Sequence, residues 1–205
     1  LEFQRKGDLH IDNILIVPHN YNYIKSKEKF TKLFDSHPQD LGVGKEYWWG
    51  INTKYSSSLK FGNSFKNESV VVDYPESKDL KWNTFGFSPY NWMHVDISSI
   101  YRTSAIKFKI KANELPKLKV FLFSYKGKKR RLQIVLNDNN FINRGDGVYD
   151  AYLPLKSLEE HEKFTWESFK EIRFKVLSGN QFEVGNFQLI EFRGNPQKPT
   201  QWKGI

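Results

Sequence analysis

The amino-acid sequence predicts an all-β fold, a β-sandwich of two antiparallel sheets. Aromatic residues make up 16% of the 205 residues, whereas alanine occurs only at positions 105, 112 and 151. Bulky aromatic and β-branched side chains favour strands, while alanine favours helices. Segments that alternate between apolar and polar residues recur along the chain, and turn residues separate them. Many short strands at this spacing indicate a sandwich or a barrel, and we expect about ten of them.

Four strands are predicted in the first half of the chain, at Leu9–Val17, Ser58–Gly62, Ser69–Tyr74 and Trp92–Asp96. The first of them contains LHIDNILI, which is similar to FEVGNFQL at Phe182–Leu189. Each copy places an apolar residue, an Asp or Gly, then Asn and another apolar residue within a strand. The first strand therefore either closes a preceding, similar module or pairs early within this domain.

The centre of the chain contains the clearest alternation. Ser104–Lys111 reads SAIKFKIK, which predicts one buried and one solvated face. Arg131–Asn137 repeats this pattern. Lys117–Tyr125 has apolar residues on both faces, so we expect it to be a central strand.

Three further strands are predicted at Val148–Leu153, Glu171–Leu177 and Phe182–Phe192. The segment 137–147 is rich in Asn, Asp and Gly and is predicted to be a loop. Helical pattern is limited to single turns near Ser157–Glu162 and Thr165–Lys170.

The domain boundaries follow from these patterns. We expect residues 32–193 to form the sandwich and residues 1–31 to be an N-terminal strand and connector, or the end of a preceding module. The segment 194–205 has two prolines and no alternation, which predicts a linker toward a following domain. There is no cysteine, and no stretch approaches the roughly 18 apolar residues that span a membrane.

The formal net charge of +9 favours polyanionic partners, since a basic surface attracts nucleic acid, anionic lipid or acidic polysaccharide. An equally simple interpretation is that lysines solvate the strand faces. Nucleic acid is the rival partner, because basic residues with interleaved aromatics also occur in single-strand binders. The lysines are dispersed and no nucleic-acid motif occurs, so we do not expect a nucleic-acid partner.

From about Lys32 to Phe192 the order of segments resembles the galactose-binding-like jelly-roll family of carbohydrate-binding modules. The matching segments are LFDS at Leu33–Ser36, SLKF at Ser58–Phe61, SVVVDY at Ser69–Tyr74, WMHVDISS at Trp92–Ser99, AIKFKIKA at Ala105–Ala112, YDAYLPL at Tyr149–Leu155, FTWESFKEIRFKV at Phe164–Val176 and FEVGNFQLIEF at Phe182–Phe192. The resemblance implies a jelly roll that binds polysaccharide beside a catalytic domain of a secreted or cell-surface bacterial glycan-degrading protein.

Many members of that family hold a structural calcium between an acidic residue near the first strand and an Asp in the closing strand. Calcium requires several oxygen ligands. The resemblance makes Asp35 the first candidate ligand, but Gly185 stands where the second Asp is expected. The Asp of that motif is instead Asp12, in the N-terminal copy. We therefore expect no cofactor, with Asp35 the single candidate calcium ligand.

The candidate sugar-binding residues are aromatic, because a pyranose ring presents a face of C–H bonds that lies flat on an indole or phenol ring. They are Trp48, Trp49, Trp82, Tyr90 and Trp92. Adjacent strand residues face opposite ways, so we expect one of Trp48 and Trp49 to be buried and the other to point outward. Trp166, in a periodic segment, is expected in the core. A core or edge role is the alternative for any single tryptophan.

Polar residues on the predicted strands complete the candidate site. Arg131 and Gln133 share a face of one strand, and Arg presents paired donors to a carboxylate or sulfate. Lys107 and Lys109 share a face of another strand, and we expect the two pairs to line one concave surface. The alternative is that each is only part of a solvated strand face.

Catalytic motifs are sparse. The five histidines lack metal-binding spacing, and the sequence contains neither a phosphate loop nor a G-x-S-x-G segment. The family resemblance and the candidate tryptophans together imply non-catalytic polysaccharide binding. The positive charge favours anionic or sulfated glycans as the ligand. A polysaccharide-cleaving enzyme that uses the sandwich itself and a structural spacer are the alternatives.

Overall fold

The computed structural model describes residues 30–31, 39–51, 58–73, 83–89, 92–179 and 181–192. The strands are β1 (Phe30–Thr31), β2 (Gln39–Asp40), β3 (Trp48–Trp49), β4 (Leu59–Gly62), β5 (Ser69–Asp73), β6 (Thr84–Phe87), β7 (His94–Val95), β8 (Ser104–Ala112), β9 (Lys117–Ser124), β10 (Arg131–Val135), β11 (Phe141–Gly145), β12 (Val148–Pro154), β13 (Phe169–Ser178) and β14 (Gln181–Glu191). Single 3-10 turns lie at Lys45–Tyr47, Tyr101–Thr103, Asp138–Asn140, Leu155–Ser157, His161–Lys163 and Trp166–Ser168. None of the helices in the described ranges is long and apolar enough to cross a membrane.

The strands form two seven-stranded sheets. The first sheet contains β1, β3, β6, β7, β9, β10 and β13, and the second contains β2, β4, β5, β8, β11, β12 and β14. All strand pairs are antiparallel except the short pair of β1 and β7. The prediction of a two-sheet antiparallel β-sandwich is therefore confirmed.

The core lies between the sheets and is built from the apolar side of each alternating strand. Leu118, Val120 and Leu122 of β9 are buried from one side, and Phe108 of β8 is buried from the other. Phe174 of β13 meets Phe108 across the interface, with ring centroids 5.5 Å apart. Burying a side chain of this size contributes about 1.5–3 kcal/mol. The hydrophobic effect therefore holds the sheets face to face.

Strand pairing places β13 at the centre of the first sheet. β13 pairs with β9 along one edge and with β6 and β7 along the other. β9 continues the sheet to β10, and β6 continues it to β3. β9 is thus paired on both sides, which confirms the prediction that it is a central strand.

Several local predictions differ from the structure. The segment 137–147, predicted to be a loop, contains β11, which pairs with β12. Its first residues form the 3-10 turn Asp138–Asn140, and its end turns at Gly145, Asp146 and Gly147, which all have positive φ angles. β6 was not predicted, because Gly86 interrupts the alternation of its four residues. The predicted strand Leu9–Val17 lies outside the described residues.

Candidate functional site

A row of residues crosses the outer face of the first sheet. The register pairs Gln133 of β10 with Phe121 of β9, and Phe121 with Arg173 of β13. Arg173 then pairs with Gly86 of β6, and Gly86 with Trp49 of β3. Directly paired residues share a face, and four strand spacings of 4.7–4.9 Å make the row about 19 Å long. The row crosses five strands and is long enough for several linked sugar rings.

Aromatic rings also follow β9 along the same face. Phe121 and Phe123 alternate with core residues and are half-buried, with ring centroids 6.3 Å apart. Tyr125 continues the alternation and is 51% exposed. His94 stacks on Tyr125, with ring centroids 5.0 Å apart and planes 3° from parallel. The face therefore carries aromatic surface in two directions, along β9 and across the sheet to Trp49.

A buried carboxylate organises the centre of this face. Glu171, whose side chain is 8% exposed, accepts hydrogen bonds from Arg173 through Nε at 2.7 Å and Nη2 at 2.9 Å. The indole Nε1 of Trp49 donates to the same carboxylate at 2.6 Å. The Arg173 guanidinium lies 4.0 Å from the centroid of the Phe123 ring and 5.1 Å from that of Trp49. Charge-assisted hydrogen bonds and cation–π contacts thus fix the positions of Trp49 and Arg173.

Other cations surround the aromatic rings. Lys119 and Arg131 lie 5.3 and 6.0 Å from the centroid of the Phe121 ring, and Lys170 lies 5.3 Å from that of Tyr125. Within the part of the chain that the structure describes, none of these three cations forms an ion pair. Burial lowers the pKa of His94, and the nearby charges of Lys126 and Lys170 lower it further. The face therefore has a positive electrostatic character at its periphery.

The structure separates the two adjacent tryptophans, as predicted. Trp48 points inward, is 7% exposed and packs on Phe87 with ring centroids 4.5 Å apart. Its indole Nε1 donates to the carbonyl of Gly42 at 2.8 Å. Trp49 points to the outer face. Trp48 is accordingly a core residue, and its inclusion among the sugar-binding candidates is corrected because no ring face is accessible.

The remaining candidates have different positions. Arg131 and Gln133 lie on the same outer face as Trp49. Trp92 is 40% exposed, and its indole Nε1 donates to the carbonyl of Glu46 at 3.3 Å, which anchors it beside the turn that precedes β3. Trp166 is 2% exposed and lies in the core, as expected. The candidates Trp82, Tyr90 and Asp35 lie outside the described residues.

The expectation that Lys107 and Lys109 share a surface with Arg131 and Gln133 is wrong. Lys107 and Lys109 lie on β8, in the second sheet, and point away from the core on the opposite side of the sandwich. There they surround Asp150, with Nζ-to-carboxylate distances of 3.7 and 3.9 Å. Their positions follow from pairing with β12, which no alternation pattern reveals.

Sequence reasoning missed four residues of this face, namely Phe121, Phe123, Glu171 and Arg173. The apolar second face of β9 was interpreted only as a sign of burial. A two-layer sandwich has no layer to cover that second face, so apolar residues there were a signal of an exposed aromatic surface. Glu171 and Arg173 share a face by their i, i+2 spacing, but only the register shows that they lie between Phe123 and Trp49.

The side chains of this face offer groups that contact sugars. Its exposed rings offer stacking surfaces for sugars, and its planar guanidinium and amide groups offer donors for sugar oxygens. Among the described residues there is no cluster of His, Asp and Glu that would hold a metal ion. A face of this composition fits carbohydrate as a ligand.

The chain belongs to the family described as carbohydrate binding domain 30, whose sequence profile matches residues 45–191. Members of this class bind carbohydrate without catalysis, so the alternatives of a polysaccharide-cleaving enzyme and a structural spacer are set aside. No curated protein sequence matches the chain.

Two solved structures of family 30 modules share the fold. The family 30 module of a cellulosomal cellulase from Clostridium thermocellum is 12% identical, with a TM-score of 0.50 over 80% of this chain and 95% of that chain. Another family 30 module, also 12% identical, has a TM-score of 0.52 over 84% of this chain and 90% of that chain. A family 11 module from Clostridium thermocellum, in complex with a β-1,3-1,4-mixed-linked tetrasaccharide, is 16% identical, with a TM-score of 0.48 over 75% and 95% of the two chains.

Proposed function

We propose that this module binds a polysaccharide chain across the outer face of its first sheet and prefers acidic or sulfated chains. The observation that carries the proposal is the row from Gln133 through Phe121, Arg173 and Gly86 to Trp49. The row combines aromatic surface at two positions with hydrogen-bond donors between them. An extended glycan requires this combination, because its rings stack while its hydroxyl groups need polar partners.

The acidic preference rests on the charges that border the row. Lys119, Arg131 and Lys170 approach aromatic rings and form no ion pair within the described ranges. A carboxylate or sulfate on the glycan would pair with these cations while the sugar ring stacks beside them. The net charge of +9 adds long-range attraction that falls with salt.

A neutral β-glucan is the second candidate ligand. One family 30 module whose fold is similar to this chain belongs to a cellulosomal cellulase. Glu171 also neutralises Arg173, which makes the centre of the face less basic than its edges. Affinity would then depend on ring stacking and persist at high salt.

Affinity gel electrophoresis against a panel of neutral, uronate and sulfated polysaccharides tests the proposal at low and at high salt. We expect acidic polysaccharides to retard the parent protein most strongly, at low salt. The Trp49→Ala and Phe121→Ala variants should migrate through the same gels without retardation. Lys111→Gln, on the opposite face, is the control and should be retarded like the parent protein. No retardation by any polysaccharide would contradict the proposal, and stronger retardation by neutral glucans would replace the acidic preference with the second candidate.

We also propose that the module acts beside a catalytic domain in a secreted or cell-surface bacterial protein, as is usual for carbohydrate-binding modules. An antibody to this module should detect a longer polypeptide in the culture medium or on the cell surface. Detection only in the cytosolic fraction would contradict this placement.

The last part of the proposal is that binding needs no metal ion. A Cβ atom added at Gly185 would lie 2.5 Å from Cβ of Ser69 and 2.8 Å from a ring carbon of Phe65, so the Asp expected at a calcium site does not fit there. We expect EDTA to leave glycan retardation and the melting temperature unchanged. A fall of either that added calcium restores would show that a calcium site exists, with Asp35 as its first candidate ligand.

A further inference from the structure

Arg173 occupies the middle of the aromatic face, and its hydrogen bonds to described residues use only part of its guanidinium. Nε and Nη2 each donate one hydrogen bond to Glu171. A guanidinium carries five N–H groups, so the Nη1 pair and the second N–H of Nη2 form another fork of donors. The side chain is 37% exposed. Its contacts with Phe123 and Trp49 hold this fork in place at the centre of the row.

The charge of Arg173 differs from that of the cations around it. Glu171 lies directly beside the guanidinium with two short hydrogen bonds, so the pair has no net charge. Lys119 and Arg131 form no such pair within the described chain, and Arg131 is exposed. The same face therefore has a neutral donor at its centre and uncompensated positive charges at its edge.

We infer that the Glu171–Arg173 pair recognises the hydroxyl groups of an uncharged sugar at the centre of the face, while Lys119 and Arg131 bind acidic groups on neighbouring sugars. The inference rests on the proposed function and narrows its ligand class. A neutral donor gains nothing special from a carboxylate, because the repulsion by Glu171 offsets the attraction by Arg173. The preferred glycan is one that carries acidic groups on some of its sugars, with uncharged sugars between them.

Glu171 has a positioning role in this arrangement. Its carboxylate accepts from both Trp49 and Arg173, so it sets the orientation of a stacking ring and of a donor fork together. It also suppresses the affinity of Arg173 for anions. A substitution that removes only the charge of Glu171 should therefore keep the position of Trp49 and raise the affinity of Arg173 for anions.

The first experiment compares Arg173→Gln with Arg131→Gln by isothermal titration with an oligosaccharide that is sulfated on alternate sugars. Arg173→Gln removes the fork of donors and should weaken binding by about 10- to 100-fold at both low and high salt. Loss of the exposed Arg131 charge should weaken binding by about two- to fivefold at low salt and leave it unchanged near 1 M salt. Arg173→Lys, which keeps the charge but not the fork, should resemble Arg173→Gln.

The second experiment uses Glu171→Gln, which keeps an acceptor oxygen for the Trp49 indole but removes the negative charge. We expect this variant to bind a fully charged uronate oligomer more tightly than the parent protein does, and with a steeper dependence on salt. A purely structural role for Glu171 would lower the affinity for every glycan and leave the salt dependence unchanged. Melting temperatures of all variants, measured alongside, identify any that are not folded.

Two results would overturn the inference while the proposed function stands. One is an Arg173→Gln defect that disappears at high salt, which would make Arg173 an ordinary anion-binding residue. The other is a parent protein that prefers fully charged uronate oligomers over alternately charged ones. The absence of any glycan binding would instead refute the proposed function.

Discussion

The adjacent residues Trp48 and Trp49 provide the sharpest prediction, because they differ in environment but not in chemistry. Trp48→Ala removes a ring that contacts Phe87 and Phe187 at centroid distances of 4.5 and 5.6 Å. Truncation of a buried Trp costs about 3–5 kcal/mol of unfolding free energy. For a domain of this size, 1 kcal/mol corresponds to about 2–4 °C, so the melting temperature should fall by about 6–20 °C.

Trp49→Ala should have the opposite profile. The half-exposed ring contributes one hydrogen bond to Glu171, whose loss costs about 1–2 kcal/mol of unfolding free energy. If the ring stacks on the glycan, its removal should cost at least about 2 kcal/mol of binding free energy, which raises Kd about thirtyfold.

Calorimetric unfolding and glycan titration of both variants measure the two effects. Trp48→Ala protein that remains folded at low temperature should bind glycan like the parent protein. A Trp49→Ala variant with unchanged affinity, or with the larger loss of stability, would refute the assignment of the two rings.

Three other predictions concern the rest of the sandwich. Burial and nearby lysines lower the pKa of His94, so the stability that its neutral form contributes is complete above its ordinary pKa of 6.5 and is lost as the pH falls through the lowered value. Denaturant unfolding between pH 4 and 8 should show this loss of stability in the parent protein and a smaller loss in His94→Gln. Equal pH profiles of the two proteins would contradict the prediction. Gly86→Ala should reduce both stability and glycan affinity, because its Cβ would lie 2.6 Å from the carbonyl oxygen of Ile172 and 3.0 Å from Nε1 of Trp49. An unchanged Kd would show that glycan binding does not depend on the position of Trp49. Asp150→Asn should cost about 1–3 kcal/mol of unfolding free energy, because the buried carboxylate accepts a hydrogen bond from Arg144 and pairs with Lys107. Glycan binding should persist, and loss of binding in folded protein would move the site to the second sheet.

The fold could be predicted from the sequence because alternation reports which side of a strand is buried. That information gave the bounds of β8, β9, β12 and β14 to within a residue or two. It did not reveal β6, whose alternation is interrupted by Gly86, nor β11, whose Asn-Arg-Gly composition resembles a turn.

The candidate site was harder to predict, because alternation reports inward or outward direction but not sheet membership. It separated Trp48 from Trp49 correctly, yet it left Lys109 and Arg131 on one surface when they lie on opposite sides of the sandwich. The row through Arg173 depends on the register of five strands. That register is set by bulges and long-range pairing, which a single sequence does not report.

The central claim is that the glycan binds the outer face of the first sheet. A nuclear magnetic resonance titration of the isotope-labelled module with an oligosaccharide ligand tests this claim most directly. Chemical shift changes should concentrate on Trp49, Phe121, Gln133 and Arg173, together with the indole N–H of Trp49, while Lys109 and its neighbours on the second sheet stay unchanged. Shift changes centred on the outer face of the second sheet, with Trp49 and Arg173 unaffected, would contradict the account.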